Sequence, residues 1–197
     1  MKKFECILLS CAIIIVTSFF FNIGIMLMSL LNDNSFLHFY LYMFSINFII
    51  SFVIIPTIFM KLILNTSLVS LFQDVFEFKR LGVLFTITSL ISLYLVKLDA
   101  TVEYAVVALG EEFLFRHLIF ILLMRSFNNK ESILIGSLLF ALILHLNGNL
   151  FINLLTKFPF SIILYYLTNK YRLQDAVIVH WLYNVLVYKF HKVRIIV

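Results

Sequence analysis

Tyr104-Ala-Val-Val-Ala-Leu-Gly-Glu-Glu-Phe-Leu-Phe-Arg-His-Leu-Ile-Phe-Ile-Leu-Leu-Met124 is apolar throughout except for Glu111, Glu112, Arg116 and His117. At a helical rise of about 1.5 Å per residue the stretch can cross a hydrocarbon core about 30 Å thick. A single charge at the centre of such a core costs about 2.5–3.5 kcal/mol on insertion scales. Two carboxylates and a guanidinium in one span must therefore be paired, used, or both.

Outward from this stretch, apolar runs recur along the chain, and spans are predicted at roughly 6–31, 36–64, 81–98, 102–124, 132–147, 150–168 and 173–191. Hydrophobic residues make up 63% of the 197, and the mean hydropathy of +1.08 excludes an ordinary soluble domain. In lipid only helices or closed barrels satisfy their own backbone, and the alternating ten-residue strands of a barrel are not seen. The expected fold is all-α: a polytopic transmembrane bundle of about seven spans around an intramembrane polar cavity, forming one integral-membrane domain over residues 1–197. Polar breaks separate the runs, among them Asn32-Asp-Asn-Ser35 and Asn147-Gly-Asn149. The segment Phe72 to Arg80 mixes aromatic and charged residues and reads as an amphipathic surface piece. Pro56 and Pro159 fall inside spans, where each can kink a helix.

The net charge of +5 does not indicate nucleic-acid binding, because the basic residues sit in loops and at span ends. With seven alternating spans, Lys2, Lys3, Lys61, Lys79, Arg80, Arg125, Lys130, Lys170 and Arg172 share one side and Lys97 the other. That asymmetry predicts a cytoplasmic N-terminus. The basic tail, Lys189, Lys192 and Arg194, conflicts with it. Cys6 and Cys11 are the two cysteines and support neither a disulfide framework nor a cysteine metal site. The apolar run continues past Leu8-Leu-Ser-Cys11 to Phe21, so the segment is expected to remain as a first helix.

Inside the spans the polar residues are few: Glu111, Glu112, Arg116, His117, His145, Lys157, His180 and Asn184. Glu112 and Arg116 are four apart, acid first, and can pair along one helix face. Glu111 is turned about 100° from Glu112 and is expected to meet a different neighbour. His180 and Asn184 share a face, and their depth and that of His145 lie near that of Glu111. Carboxylate, imidazole and amide groups can thus meet in one cavity, a set suited to hydrolysis. The same groups suit a divalent metal such as zinc, with Glu111, His145 and His180 as ligands. The residues alone leave metal-activated and glutamate-activated water both open. Taken singly, each group has a plainer use: a structural ion pair, or hydrogen bonds between helices. His117 is expected near headgroups, and Lys157 is expected to extend its amine to the nearer membrane surface.

Glu111-Glu112-x-x-x-Arg116, the histidine His145 on the following helix and His180-x-x-x-Asn184 together resemble the CPBP family. These are CAAX proteases and bacteriocin-processing enzymes (the Abi family), related to the type II CAAX prenyl endopeptidases. The resemblance covers roughly residues 80–192. One motif departs from the family's Phe-x-x-x-His: here Phe140 lies five residues before His145, and Ala141 holds the usual aromatic place. The resemblance implies an intramembrane endopeptidase in a bacterial cytoplasmic membrane, acting on a membrane-associated peptide. It casts Glu111 as general base assisted by His145, Glu112 with Arg116 as a supporting pair, and His180 with Asn184 as oxyanion holders. It also implies roles in peptide pheromone maturation, bacteriocin processing or self-immunity. The rival expectation is a non-enzymatic immunity or peptide-binding protein built on the same helices.

Overall fold

The computed structural model describes residues 2–30, 37–144 and 150–194; the expected breaks at 32–35 and 147–149, and His145, lie outside them. Every element among the described residues is helical. In chain order these are α1 (Lys3–Leu30), α2 (Leu37–Ile49), α3 (Ile55–Leu64), α4 (Leu68–Phe72), α5 (Phe78–Leu95), α6 (Leu98–Glu112), α7 (Phe120–Leu123), α8 (Asn129–Leu139), α9 (Leu150–Tyr171) and α10 (Leu173–Arg194). A π turn, Ile50–Ile54, joins α2 to α3, another, Phe113–Ile119, joins α6 to α7, and a third, Phe140–Leu144, extends α8.

Taken as continuous rods, these elements number eight. Each of the seven apolar runs forms one, and the short α4 is the eighth. Among the described residues, four stretches are long and apolar enough to cross a membrane: Lys3–Leu30, Phe39–Leu64, Phe78–Leu95 and Leu150–Tyr171. The expected count of seven spans is not reached by that measure, for a chemical reason. The α6–α7 rod carries Glu103, Glu111, Glu112 and Arg116; α10 carries Asp175, Lys189, Lys192 and Arg194; α8 is short. The piece expected along the surface at Phe72 to Arg80 is not a single helix. Asp74 takes a left-handed conformation (φ 58°) and breaks the chain between α4 and α5. The Leu173 amide then donates to the Val75 carbonyl at 3.2 Å, fastening that turn to α10.

Polar contacts show which ends of the rods lie together. Lys3 of α1 meets Glu131 of α8 at 3.4 Å, and the Asn169 amide donates to Asn129 at 3.2 Å. Arg80 clasps Asp175 through two hydrogen bonds of 3.0 and 2.6 Å. The start of α1, the α7–α8 and α9–α10 connections and the α4–α5 turn thus share one end, where most loop lysines and arginines are gathered. Lys97, Tyr188 and Lys189 line a cleft together, so α10 runs the full depth of the bundle. The basic tail therefore begins at the end of the bundle away from most of the other loop lysines and arginines.

Close approach depends on two glycines. A Cβ on Gly24 would meet the Asn47 amide at 2.0 Å, and that amide reaches across to donate to the Phe21 carbonyl at 3.0 Å. A Cβ on Gly110 would meet the Phe48 ring at 2.5 Å, where Phe48 and Phe52 stack with centroids 4.2 Å apart. Pro56 follows directly on the first π turn, and α9 passes through Pro159 without a break. The Thr57 hydroxyl donates to the Val53 carbonyl at 2.6 Å, beside the amide proton that Pro56 lacks. α10 packs against α5, α6 and α9, while α6 also packs against α2. One apolar core runs through these contacts from Ile13 to Val185, with Phe115, Leu118 and Trp181 fully enclosed.

Gly110→Ala is expected to lower stability by about 1–3 kcal/mol through overpacking against Phe48 and Phe52. Gly82→Ala, where a Cβ meets open space, is the matched control and should unfold like wild type. Thermal unfolding in detergent, followed by the fluorescence of the sole tryptophan, Trp181, distinguishes the two.

Candidate active site

Glu111 and Glu112 end α6, at the point where the α-helix opens into the Phe113–Ile119 π turn. In that turn the Phe120 amide donates to the Phe115 carbonyl, five residues back. π turns of this kind occur frequently at functional sites. The Tyr165 hydroxyl of α9 donates to the same carbonyl at 2.8 Å. Gly136 of α8 makes room for it, since a Cβ there would lie 2.1 Å from the hydroxyl. The loosened turn is thus held by its neighbours on both sides.

Glu112 is wholly buried, and Arg116 is 1% exposed. Arg116 Nε stands 3.1 Å from Glu112 Oε2, the expected i,i+4 pair. The approach is out of line for a hydrogen bond, leaving the contact chiefly electrostatic. Arg116 Nη2 donates to Ser161 Oγ at 3.0 Å, and the guanidinium lies 4.3 Å from the Phe140 ring centre and 5.2 Å from that of Tyr165. Aromatic faces and a hydroxyl thus surround a cation that lipid could not solvate.

The other oxygen of Glu112 contacts His180 Nδ1 at 2.7 Å. His180 Nε2 faces Glu111 Oε2 at 3.8 Å. Glu111 was expected to meet a different neighbour from Glu112; instead both carboxylates converge on one imidazole, from its two sides. α10 crosses α6 here and presents His180 between the two side chains.

Glu111, His180 and Asn184 line a cavity of about 220 Å³, closed in part by Phe140 and by Phe160 stacked on Tyr183 at 4.4 Å. Phe140 reaches the site from the start of the third π turn, so the one-residue departure from the family spacing coincides with a change of helical pitch. Lys157 also lines the cavity and is only half-buried. The expectation that its amine extends to the membrane surface is corrected. His117, expected near headgroups, contacts the Leu71 carbonyl of α4 at 2.5 Å and lies tilted beside the Phe113 ring.

Of the six residues expected at the site, Glu111, Glu112, Arg116, His180 and Asn184 are brought together, and His145 lies outside the described residues. Of the expected metal set, Glu111 and His180 face each other at 3.8 Å and His145 lies outside the described residues. Among the described residues no group of three His, Cys, Asp or Glu side chains is disposed to hold a metal. Ser161 and Tyr165 were missed and Lys157 was left out of the site, although their spacing carried a signal. With Asn153 they form an i, i+4, i+8, i+12 polar stripe on α9.

Residues 95–186 match the family model described as Rce1-like, type II CAAX prenyl endopeptidase Rce1-like. No curated protein and no solved structure matches the chain. The matched segment holds the whole of α6 to α9 and the part of α10 that bears His180 and Asn184. The cavity lined by Glu111 and His180 lies inside that segment, and the match supports a protease domain of the CPBP, CAAX type there.

Proposed function

We propose that the protein is an intramembrane endopeptidase that cleaves a membrane-associated peptide of the prenylated, pheromone or bacteriocin class. The observation that carries this reading is the convergence of Glu111 and Glu112 on His180 at the wall of a partly closed cavity. Glu112, neutralised by Arg116, orients His180 through Nδ1 and leaves Nε2 directed at Glu111. Glu111 takes a proton from water as the oxygen attacks the peptide carbonyl. His180 passes that proton to the leaving nitrogen, and the Asn184 amide donates to the carbonyl oxygen as charge develops on it. This moves His180 from the oxyanion role implied by the resemblance to proton relay, because both of its nitrogens face carboxylates. Glu111 and His180, with His145, are the residues that would hold a divalent metal such as zinc, whose contribution would be to acidify a bound water.

The basic end of the bundle supports a cytoplasmic N-terminus, with the whole chain acting as one domain in a bacterial cytoplasmic membrane. Protease protection of an N-terminal tag in inverted membrane vesicles would contradict that orientation.

Peptidomics of cells expressing wild type or Glu111→Ala at matched membrane levels tests the activity. Peptides found only with wild type are expected and supply the cleavage sequence. Identical profiles, with a protective phenotype kept by Glu111→Gln, would favour the peptide-binding or immunity alternative.

Stability separates the two carboxylates. Glu112→Ala strands buried Arg116 and is expected to cost about 3–5 kcal/mol. Glu111→Gln keeps its shape beside His180 and should unfold near the wild-type temperature, yet fail to cleave. Trp181 fluorescence melts of the two variants provide the comparison.

A further inference from the structure

Lys157 stands in the wall of the cavity that holds Glu111 and His180, within electrostatic reach of Glu111. It shares a helix face with Ser161, which binds Arg116, and with Tyr165, which binds the π turn. That face of α9 is turned to the site along its length. Among the described residues lining the cavity, Lys157 is the sole lysine or arginine. Arg116 is committed to Glu112, and both nitrogens of His180 face carboxylates, so neither is well placed to meet new negative charge. Asn184 supplies only a neutral donor.

Resting on the endopeptidase reading, we propose that Lys157 is a catalytic residue, the electrophile that meets the tetrahedral oxyanion. At rest its ammonium group balances the Glu111 carboxylate. When water attacks, one O–H bond breaks and its proton passes to Glu111. The new C–O bond forms as the carbonyl π pair moves onto oxygen. The negative charge leaves the glutamate and appears on the substrate, while the ammonium stays and the total charge of the cavity is unchanged. Collapse re-forms the carbonyl and breaks the C–N bond, and the proton held by Glu111 passes through His180 to the leaving nitrogen. A cation in the cavity wall that faces the charge before and after its transfer lowers the barrier, as oxyanion donors do.

The test uses full-length protein in liposomes, as wild type, Lys157→Met and Lys157→Arg, each checked for folding by Trp181 fluorescence. Turnover of an internally quenched farnesyl-cysteine peptide is measured. Two stable analogues of that peptide are also titrated, one with an anionic phosphinate and one with a neutral hydroxyethylene at the scissile bond. Lys157→Met is expected to lower kcat by about 10²–10³-fold, with KM little changed and the wild-type preference for the phosphinate lost. Lys157→Arg, which keeps the charge, should retain part of both. Wild-type kcat in Lys157→Met, or a change confined to KM, overturns the assignment. So does a phosphinate preference that is absent from wild type or persists in Lys157→Met. If Lys157→Met does not fold, Lys157→Arg decides, and indifference to the phosphinate in that variant overturns the proposal. If wild type binds the phosphinate through Lys157 but does not cleave the peptide, the endopeptidase reading fails for that substrate and the anion site stands.

Discussion

Glu112 is buried between Arg116 and His180, and much of the bundle is arranged to make that burial tolerable. An unpaired carboxylate in a low-dielectric interior costs several kcal/mol, so its partners must be held in place by packing. Arg116 is held by Ser161 and by the rings of Phe140 and Tyr165, which belong to α9 and to the π turn that extends α8. His180 is held by α10, which packs against α5, α6 and α9. A single ion network thus ties the α6–α7 rod to three others. Breaking one contact exposes the next buried group to an environment that cannot solvate it.

The π turns give the site its shape. A regular α-helix through residues 111–123 would leave no loosened turn for Tyr165 to hold. The wider turn at Phe113–Ile119 instead presents the Phe115 carbonyl to that hydroxyl. Packing around the turn is correspondingly tight. Gly110 lets the Phe48–Phe52 stack come against α6, and Gly136 admits the Tyr165 hydroxyl. Small residues at these crossings substitute for the hydrophobic drive that helices in lipid lack. The same crossings that bring backbones together bring the polar side chains to one depth.

Much of the site was legible from single residues because charged groups in apolar runs are conspicuous. Glu111, Glu112, Arg116, His180 and Asn184 could each be singled out on that ground, and the Glu112–Arg116 pair followed from i,i+4 spacing. The convergence of both glutamates on His180 could not be read this way. A rotation of about 100° between neighbours says that they diverge on one helix, not where a second helix crosses. Lys157 was misplaced for a related reason. A lysine in an apolar run can extend to the surface or turn inward, and the choice depends on which face of α9 meets the site.

By itself the amino-acid sequence determined the helical class, the positions of the seven apolar rods and which groups are too polar for lipid. Hydropathy, helical periodicity and the cost of burying charge are local properties of the chain. Tertiary structure alone decided that two carboxylates share one imidazole, that Lys157 faces the cavity and that α10 crosses the bundle completely. Those outcomes depend on which helix faces meet, and that is set by close-packed side chains and π turns distributed over rods far apart in sequence.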